Sequence, residues 1–327
     1  MTHGSVQFSV ADMIRCPACG GAVGASDTVI RCLGADCRRS FPIVDGVPIL
    51  IDERQSVFSL ADYRPASETP AAKRGPGRFL PDTTTELNTT ENFNAFGQLL
   101  TTKSAAPTVL VVGGQIIGSG MDALVANARI HFVDTDVTIG PRTGIVCDGH
   151  NLPFADGVFD GVIVQAVLEH VLDPQRCVAE IHRVLKPEGL VYAETPFMQQ
   201  VHGGAFDFTR FSALGHRRLF RMFDEVASGA CGGPATALAW SYEYFLSSLP
   251  TSRRGRQAST AFARLSSWWL KYLDRFLIDR PAALDAASGV FFMGTKAESA
   301  ISDRLLITQY RGAQPKIQDT AAYPVLA

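Results

Sequence analysis

Cys16, Cys19, Cys32 and Cys37 stand together near the start of this 327-residue chain, while Cys147, Cys177 and Cys231 are scattered. A C-x2-C pair on a tight turn aims two thiolates at one ion, and a second pair on a neighbouring turn completes a tetrahedron. Structural zinc takes this closed four-sulfur set. The second pair here is C-x4-C, looser than the common C-x2-C. The bland reading is four free thiols in a small module, but a module of that size needs a staple to fold. The expectation is a structural Zn2+ site with no open position and no catalysis of its own.

A second set of residues follows a series of apolar runs. Gly113, Gly114, Gln115, Gly118 and Gly120 come after TVLVV. Asp134, with Asp136 close behind, ends RIHFVD; Asp148-Gly149-His150 ends TGIVC; Gln165 ends FDGVIVQ and is followed by Glu169-His170. A glycine turn lets the backbone approach a ligand. An acid at the next strand end can hold ribose hydroxyls, and a contact after the third can meet a base edge. Asp134 and Asp148 could instead be simple turn formers, but the sheet edge where they fall is where α/β folds bind ligands. A third set lies in 194–211, a loop dense in aromatics that holds His202, Asp207 and Arg210, with Gly203 and Gly204 free to flex. His202 is the candidate general base, with His170 and Asp207 behind it. The competing view is a packed loop with an Asp207–Arg210 ion pair.

The elements that must position these residues are legible from periodicity. ENFNAFGQLLTTK is expected to be a helix, and TVLVVGG a buried strand with a glycine turn. A short helix MDALVANA and strands RIHFVD, TGIVCDG and FDGVIVQAVL follow, the last almost continuously apolar as a central parallel strand should be. PQRCVAEIHRVL is amphipathic, with Cys177, Val178, Ile181, Val184 and Leu185 on one face, and is ended by Pro187 and Gly189. GLVYAETP is a fifth strand, SALGHRRLFRMF a helix, EVASGA a strand and ASGVFFMGTKA a last strand. This order implies a doubly wound α/β fold with a mostly parallel sheet of seven strands. The expected organisation is a zinc-ribbon-like domain over 1–52 and a Pro/Thr/Ser-rich linker over 53–90, in which Val57, Phe58, Leu60 and Tyr63 could dock on a neighbour. The main domain spans 91–299, with an aromatic helical insertion at about 238–278 capping the site, and a polar tail fills 300–327.

Two resemblances sharpen this reading. CPACGG, CLGADC and FPIVDGVPIL, over about the first fifty residues, resemble the small zinc-binding family that activates tRNA and rRNA methyltransferases as a separate subunit. CDGHNLPFADGVFDGVIVQAVLEHVLDP, continuing through EIHRVLKPEGLVYAETP, is similar to the class I S-adenosylmethionine (SAM)-dependent methyltransferases, especially the branch acting on quinones, glycans and other small molecules. That second resemblance covers about Val109 to Pro196. It implies SAM as cofactor, cradled by the Gly113, Gly114, Gln115 and Gly118 turn. Asp134 falls on the ribose, Asp148 with Gly149 and His150 around the adenine, and Gln165 beside the methionine part. One departure stands out: the family places an acid in the first strand before G-x-G-x-G, whereas this chain has Val111 there and Gln115 for a glycine.

Composition narrows the rest. Lys plus Arg is 30 against Asp plus Glu 32, a formal net charge of −2, so the basic excess of a nucleic-acid binder is absent. MTHGSVQFSV has no basic segment followed by an apolar one, and no apolar run is long enough to span a bilayer, so a cytoplasmic protein is expected. FARLSSWWLKYLDRFL keeps membrane-surface contact or a homodimer interface open for the insertion. The function expected is methyl transfer to a small-molecule acceptor (a sugar, polyketide or other metabolite), on oxygen. The alternatives are an rRNA or tRNA methyltransferase with a zinc ribbon, and a non-catalytic SAM-fold binding module, suggested by Val111 and Gln115.

Overall fold

A computed structural model describes residues 12–64 and 80–315; the rest of the expected linker and tail lies outside the described residues. A hairpin-like series β1 (Val23–Ala25), β2 (Val29–Cys32), β3 (Ser40–Val44) and β4 (Val47–Leu50) is antiparallel throughout. Every residue of β4 is buried, and it then pairs parallel with β7 (Ile145–Cys147), Ile49 against Val146 and Leu50 against Cys147. The cysteine module therefore extends the main sheet. Ile30 and Phe41 share one core cluster with Leu110 and Phe154.

The remaining strands are β5 (Thr108–Val112), β6 (His131–Asp136), β8 (Phe159–Gln165), β9 (Leu185–Pro196), β10 (Phe223–Gly232) and β11 (Gly289–Lys296). Beyond the first four strands the sheet runs β7-β6-β5-β8-β9-β11-β10. Pairing is parallel from β7 to β9, whereas β11 is antiparallel to both β9 and β10. This is the seven-stranded, mostly parallel, doubly wound sheet that the sequence implies. β6 runs on to Asp136, two residues past the expected end, because Thr135 and Asp136 still pair with Ile145 and Val146.

Helices cover both faces. α1 (Thr89–Lys103) buries Phe93, Phe96, Gly97 and Leu100 against Val109, Val111, Ile163 and Tyr192. After the single-turn α2 (Asp122–Val125), α3 (Pro174–Val184) buries Cys177, Val178, Ile181 and Val184 on the opposite face. Asp173 caps α3, accepting from the Arg176 amide, and Pro174 sits in its first turn, where a missing N–H costs nothing. α4 (Ala213–Leu219) precedes β10. In the expected linker, Phe58, Leu60 and Tyr63 pack on Val47, Ile49 and Val146, and the Tyr63 hydroxyl donates to the Val137 carbonyl. The region after Ser299, to which the sequence assigns little, forms α9, Asp303–Thr308, with Leu306 buried.

The insertion between β10 and β11 begins earlier than its aromatic run. It comprises α5 (Pro234–Ser248), α6 (Arg253–Ser267), a 3-10 turn (Leu270–Leu273), α7 (Asp274–Leu277) and α8 (Pro281–Leu284). Phe245, Leu249, Phe262, Trp269 and Phe276 stay exposed on it, and no described helix is long and apolar enough to cross a membrane. Its anchor is the buried Asp274, which accepts from the Ala235 and Thr236 amides at 2.8 and 2.9 Å and from the Thr236 hydroxyl at 2.7 Å. A side chain at Gly233 would meet the Asp274 carboxylate at 2.3 Å, so the approach needs glycine. Asp274→Ala strands these amides at the positive end of α5 and should destabilise the protein by about 1.5–3 kcal/mol. Denaturant unfolding checks this, and an unchanged midpoint would show that the insertion is anchored elsewhere.

Candidate active site

β5 and β8 lie side by side, but the chain leaves them toward opposite edges of the sheet, so their C-terminal ends open on a crevice. Two cavities occupy it, of about 370 and 440 Å³, and both are lined by Val112, Gly113 and Ala166. Gly113 makes the turn between them at φ +79°, and a Cβ there would lie 2.3 Å from Val167. The Gly113 and Gly114 amides both donate to the Thr135 carbonyl at 2.8 Å, which fastens the turn to β6.

The first cavity is mostly apolar, with acids at one side. Asp148 accepts from the His150 amide (3.0 Å) and ring Nδ1 (2.6 Å), and from the Ser56 hydroxyl (2.5 Å). Burial opposes its charge, but these hydrogen bonds outweigh burial and hold the carboxyl below its usual range. His150 Nε2 accepts from the Asp173 amide, so its proton is on Nδ1. Asp136 also lines this cavity, with Oδ2 near the Gln115 amide (3.2 Å) and Oδ1 on the Thr138 amide and hydroxyl. Asp134 lines neither cavity; it is ion-paired with Arg142 at 2.8 Å, and burial raises its pKa despite that partner. Phe58 stacks on Phe206 with ring centroids 5.7 Å apart, so the segment after the cysteine module meets the 194–211 loop over this cavity.

The second cavity is the more polar. Gln165 donates to Glu194 at 2.6 Å and to the Ser119 carbonyl at 3.1 Å, while its Oε1 has no partner. Gly118 leaves room for it, since a Cβ would overlap that Oε1. The Gln115 side chain lies against Gly140 and lines neither cavity. Glu194 also accepts from the Tyr192 hydroxyl (2.5 Å) and the Thr89 hydroxyl (2.9 Å), and burial still pushes its pKa up to about 7. It shares the cavity with Val111, where the family's first-strand acid is missing. Trp240 of α5 forms part of the wall, and α5 tethers the loop: Gln200 donates to Ser241, and Tyr244 donates to the Val201 carbonyl.

At the rim between the cavities, Glu169 is fully buried and both of its carboxylate oxygens lack a hydrogen-bond partner. Burial raises its pKa to about 7. The Nε2 atoms of His170 and His202 lie 3.6 and 4.0 Å from Glu169 Oε1. Burial lowers the His202 pKa. Behind it, Asp207 takes Arg210 at 2.6 Å and the His202 and Gly203 amides, which hold its carboxyl far below the usual range. The structure thus brings His170 and His202 to one carboxylate, Glu169, with Asp207 behind His202. Glu194 and Ser56 were not selected from the sequence, and Asp136 was noted only as the neighbour of Asp134. The available signals were an acid ending a strand and an acid inside the apolar run VYAETP.

Residues 110–193 match the methyltransferase-domain family. The ubiquinone/menaquinone biosynthesis C-methyltransferases of Desulfotalea psychrophila and Bordetella avium are 48% identical over 44 residues and 39% identical over 70. These matches cover 14% and 21% of this chain but only 18% and 27% of the relatives. A structure of Haemonchus contortus phosphoethanolamine N-methyltransferase 2 in complex with S-adenosyl-L-methionine aligns at 14% identity and TM-score 0.40, covering 64% of this chain and 53% of that one. The family match places a methyltransferase domain on residues 110–193, the stretch from β5 to β9 whose strand ends border both cavities.

The buried Glu194 has a consequence for stability. Its folded pKa of about 7 exceeds the ordinary 4.5, so the folded form keeps a proton that the unfolded chain releases. Its contribution is most favourable below about pH 4.5 and is lost as pH rises through 7, on the order of 3 kcal/mol in full. Glu194→Gln should therefore gain stability relative to wild type between pH 5 and 8. Parallel unfolding profiles for the two proteins would contradict this.

Proposed function

We propose that this protein transfers the methyl group of SAM to a hydroxyl of a small-molecule acceptor. The observation that carries the reading is the pair of cavities meeting at Gly113, with groups suited to a nucleoside in one and to cationic and proton-transfer chemistry in the other. The first cavity takes the adenosine: Asp136 accepts from the ribose hydroxyls, and the Asp148–His150 turn frames the adenine. Asp136 has this role in preference to Asp134, whose carboxylate is committed to Arg142. The methionine part lies toward Gln165, and Glu194 supplies the negative charge for its amine that Val111 does not. When bound, SAM supplies an electrophilic methyl on a sulfonium.

The second cavity then holds the acceptor in line with that methyl, which is most of what such a displacement needs. Trp240 and the 194–211 loop wall the acceptor in on one side. The Glu169–His202 edge promotes loss of the acceptor's proton, which a hydroxyl acceptor must shed as the methyl transfers. Calorimetry with S-adenosylhomocysteine tests the cofactor half. Asp136→Ala and Glu194→Gln should each cost about 1.5–3 kcal/mol of binding, the worth of a charged hydrogen bond, and Asp134→Ala distinctly less. A reversed ranking of Asp136 and Asp134 would overturn the ribose assignment. Radiolabelled SAM with metabolite extract and with total RNA tests the acceptor: label in RNA alone would overturn the small-molecule reading.

The cysteine module fits zinc. Sγ separations are 3.8 Å for Cys16–Cys37 and 3.5 Å for Cys19–Cys32, against about 3.8 Å for four sulfurs each ~2.3 Å from a tetrahedral ion. Zinc there would hold the module's turns. The module passes into Asp52, a buried carboxylate bound by Arg39, Arg54 and Gln55, and then into Ser56, the donor to Asp148. Purified protein should carry about one zinc per chain, and removing it should weaken S-adenosylhomocysteine binding. Zinc-free protein from reducing, chelator-free preparation that binds the ligand at full strength would contradict both statements.

A further inference from the structure

Glu169 poses a question that the methyl-transfer reading leaves open. A carboxylate with no exposure and no hydrogen-bond donor is costly unless a proton or a cation neutralises it. The groups facing it are two imidazole nitrogens, the Nε2 atoms of His170 and His202, and one ligand atom from each of the three residues falls within 4.8 Å of the others.

The rest of each ring is engaged in the way that supports metal ligation. His170 Nδ1 lies 2.5 Å from the Phe206 carbonyl, which fixes its proton on Nδ1 and turns the Nε2 lone pair toward Glu169. His202 Nδ1 lies 3.4 Å from the Gln200 carbonyl, 3.5 Å from Asp207 Oδ2 and 3.4 Å from Arg210 Nη2, and its Nε2 faces Glu169 as well. A carbonyl or carboxylate thus lies behind each ring, the usual outer layer of a histidine metal site, and the Phe206 carbonyl fixes the His170 tautomer. The two rings meet edge to face at 4.8 Å. They approach this closely because residue 203 is glycine; a Cβ there would stand 2.5 Å from the His170 ring.

From this geometry we propose that Glu169, His170 and His202 form a divalent-metal site at the junction of the two cavities. The site is distinct from the four-cysteine module and is built to bind the acceptor's oxygen. Two imidazoles and one carboxylate suit first-row divalent ions and leave open positions. Ligands about 2.1 Å from such an ion would be roughly 3.0–3.4 Å apart, so the set closes by a small movement of the loop that carries His202 beside Gly203 and Gly204. Glu169 and His202 line the second cavity and His170 the first, so the open positions face the place where methyl and acceptor meet. This inference rests on the methyl-transfer reading and specifies how the Glu169–His202 edge acts. A hydroxyl bound at an open position loses its proton to water more readily. Its oxygen then forms the new O–C bond as the C–S bond breaks, giving a methyl ether and S-adenosylhomocysteine.

The test uses the full chain with its zinc retained, titrated with Mn2+ while free Mn2+ is followed by electron paramagnetic resonance. Mn2+ favours carboxylate and imidazole over thiolate, so the cysteine module does not compete. The expected result is one Mn2+ per chain, abolished by Glu169→Gln and by His202→Ala, and weakened about 10–100-fold by Asp207→Asn, which acts only behind the ligand. Calorimetry with S-adenosylhomocysteine on the same samples shows that each variant is folded with its cofactor site intact. Wild-type protein that binds S-adenosylhomocysteine but no Mn2+ would overturn the metal site and leave the methyl-transfer reading standing, and so would Mn2+ bound equally by Glu169→Gln. Mn2+ bound as expected by protein that takes no S-adenosylhomocysteine would uphold the site and overturn that reading instead.

Discussion

The gap between the C-terminal ends of β5 and β8 is the constraint on which the rest depends. A parallel sheet must return its chain by crossovers, and two that leave neighbouring strands in opposite directions cannot cover the space between them. Gly113 turns the chain out of β5 at that gap, in a backbone conformation and at a distance from Val167 that a side chain would not tolerate. The groups assigned to the cofactor hang from strand ends beside this turn: Asp136 from β6, Asp148 just after β7, Gln165 from β8 and Glu194 from β9.

The site is also where the molecule carries buried charge without full compensation. Glu194 receives three side-chain donors and Glu169 none, yet burial pushes both toward neutrality. Such groups are expensive in an empty site and become useful when a cation arrives. A sulfonium and an amine provide that charge on the Glu194 side, and a divalent ion would provide it on the Glu169 side. The cysteine module contributes from a distance: β4 joins it to the main sheet beside β7, and the chain that follows delivers Ser56 to Asp148 and Phe58 to Phe206.

Much of this was legible in the sequence, because buried parallel strands read as nearly continuous apolar runs. TVLVV, FDGVIVQ and VYAETP each fall on the strand expected, and PQRCVAEIHRV on an amphipathic helix. The turn residues after those strands were equally visible. What the sequence could not supply was direction. Asp134 and Asp136 lie two apart on one strand, and only the extra pairing of β6 with β7 carries Asp136 to the cavity while Arg142 occupies Asp134. Glu194 and Val111 are far apart in the chain and become neighbours only across β8. The contact of His202 with Glu169 depends on the fold of a glycine-rich loop that no periodicity describes. The insertion's start at Pro234, before its aromatic run, was hidden because Asp274, forty residues on, is what caps it.

The central claim is that one ligand straddles the Gly113 turn, with adenosine on the Asp136 and Asp148 side and methionine on the Gln165 and Glu194 side. A crystal structure grown with S-adenosylhomocysteine tests it most directly. The account predicts ribose hydroxyls on the Asp136 carboxylate, the amine within reach of Glu194, and the sulfur opening toward Glu169 and His202. Adenine seated in the second cavity, or a ligand bound away from the Gly113 turn, would contradict it.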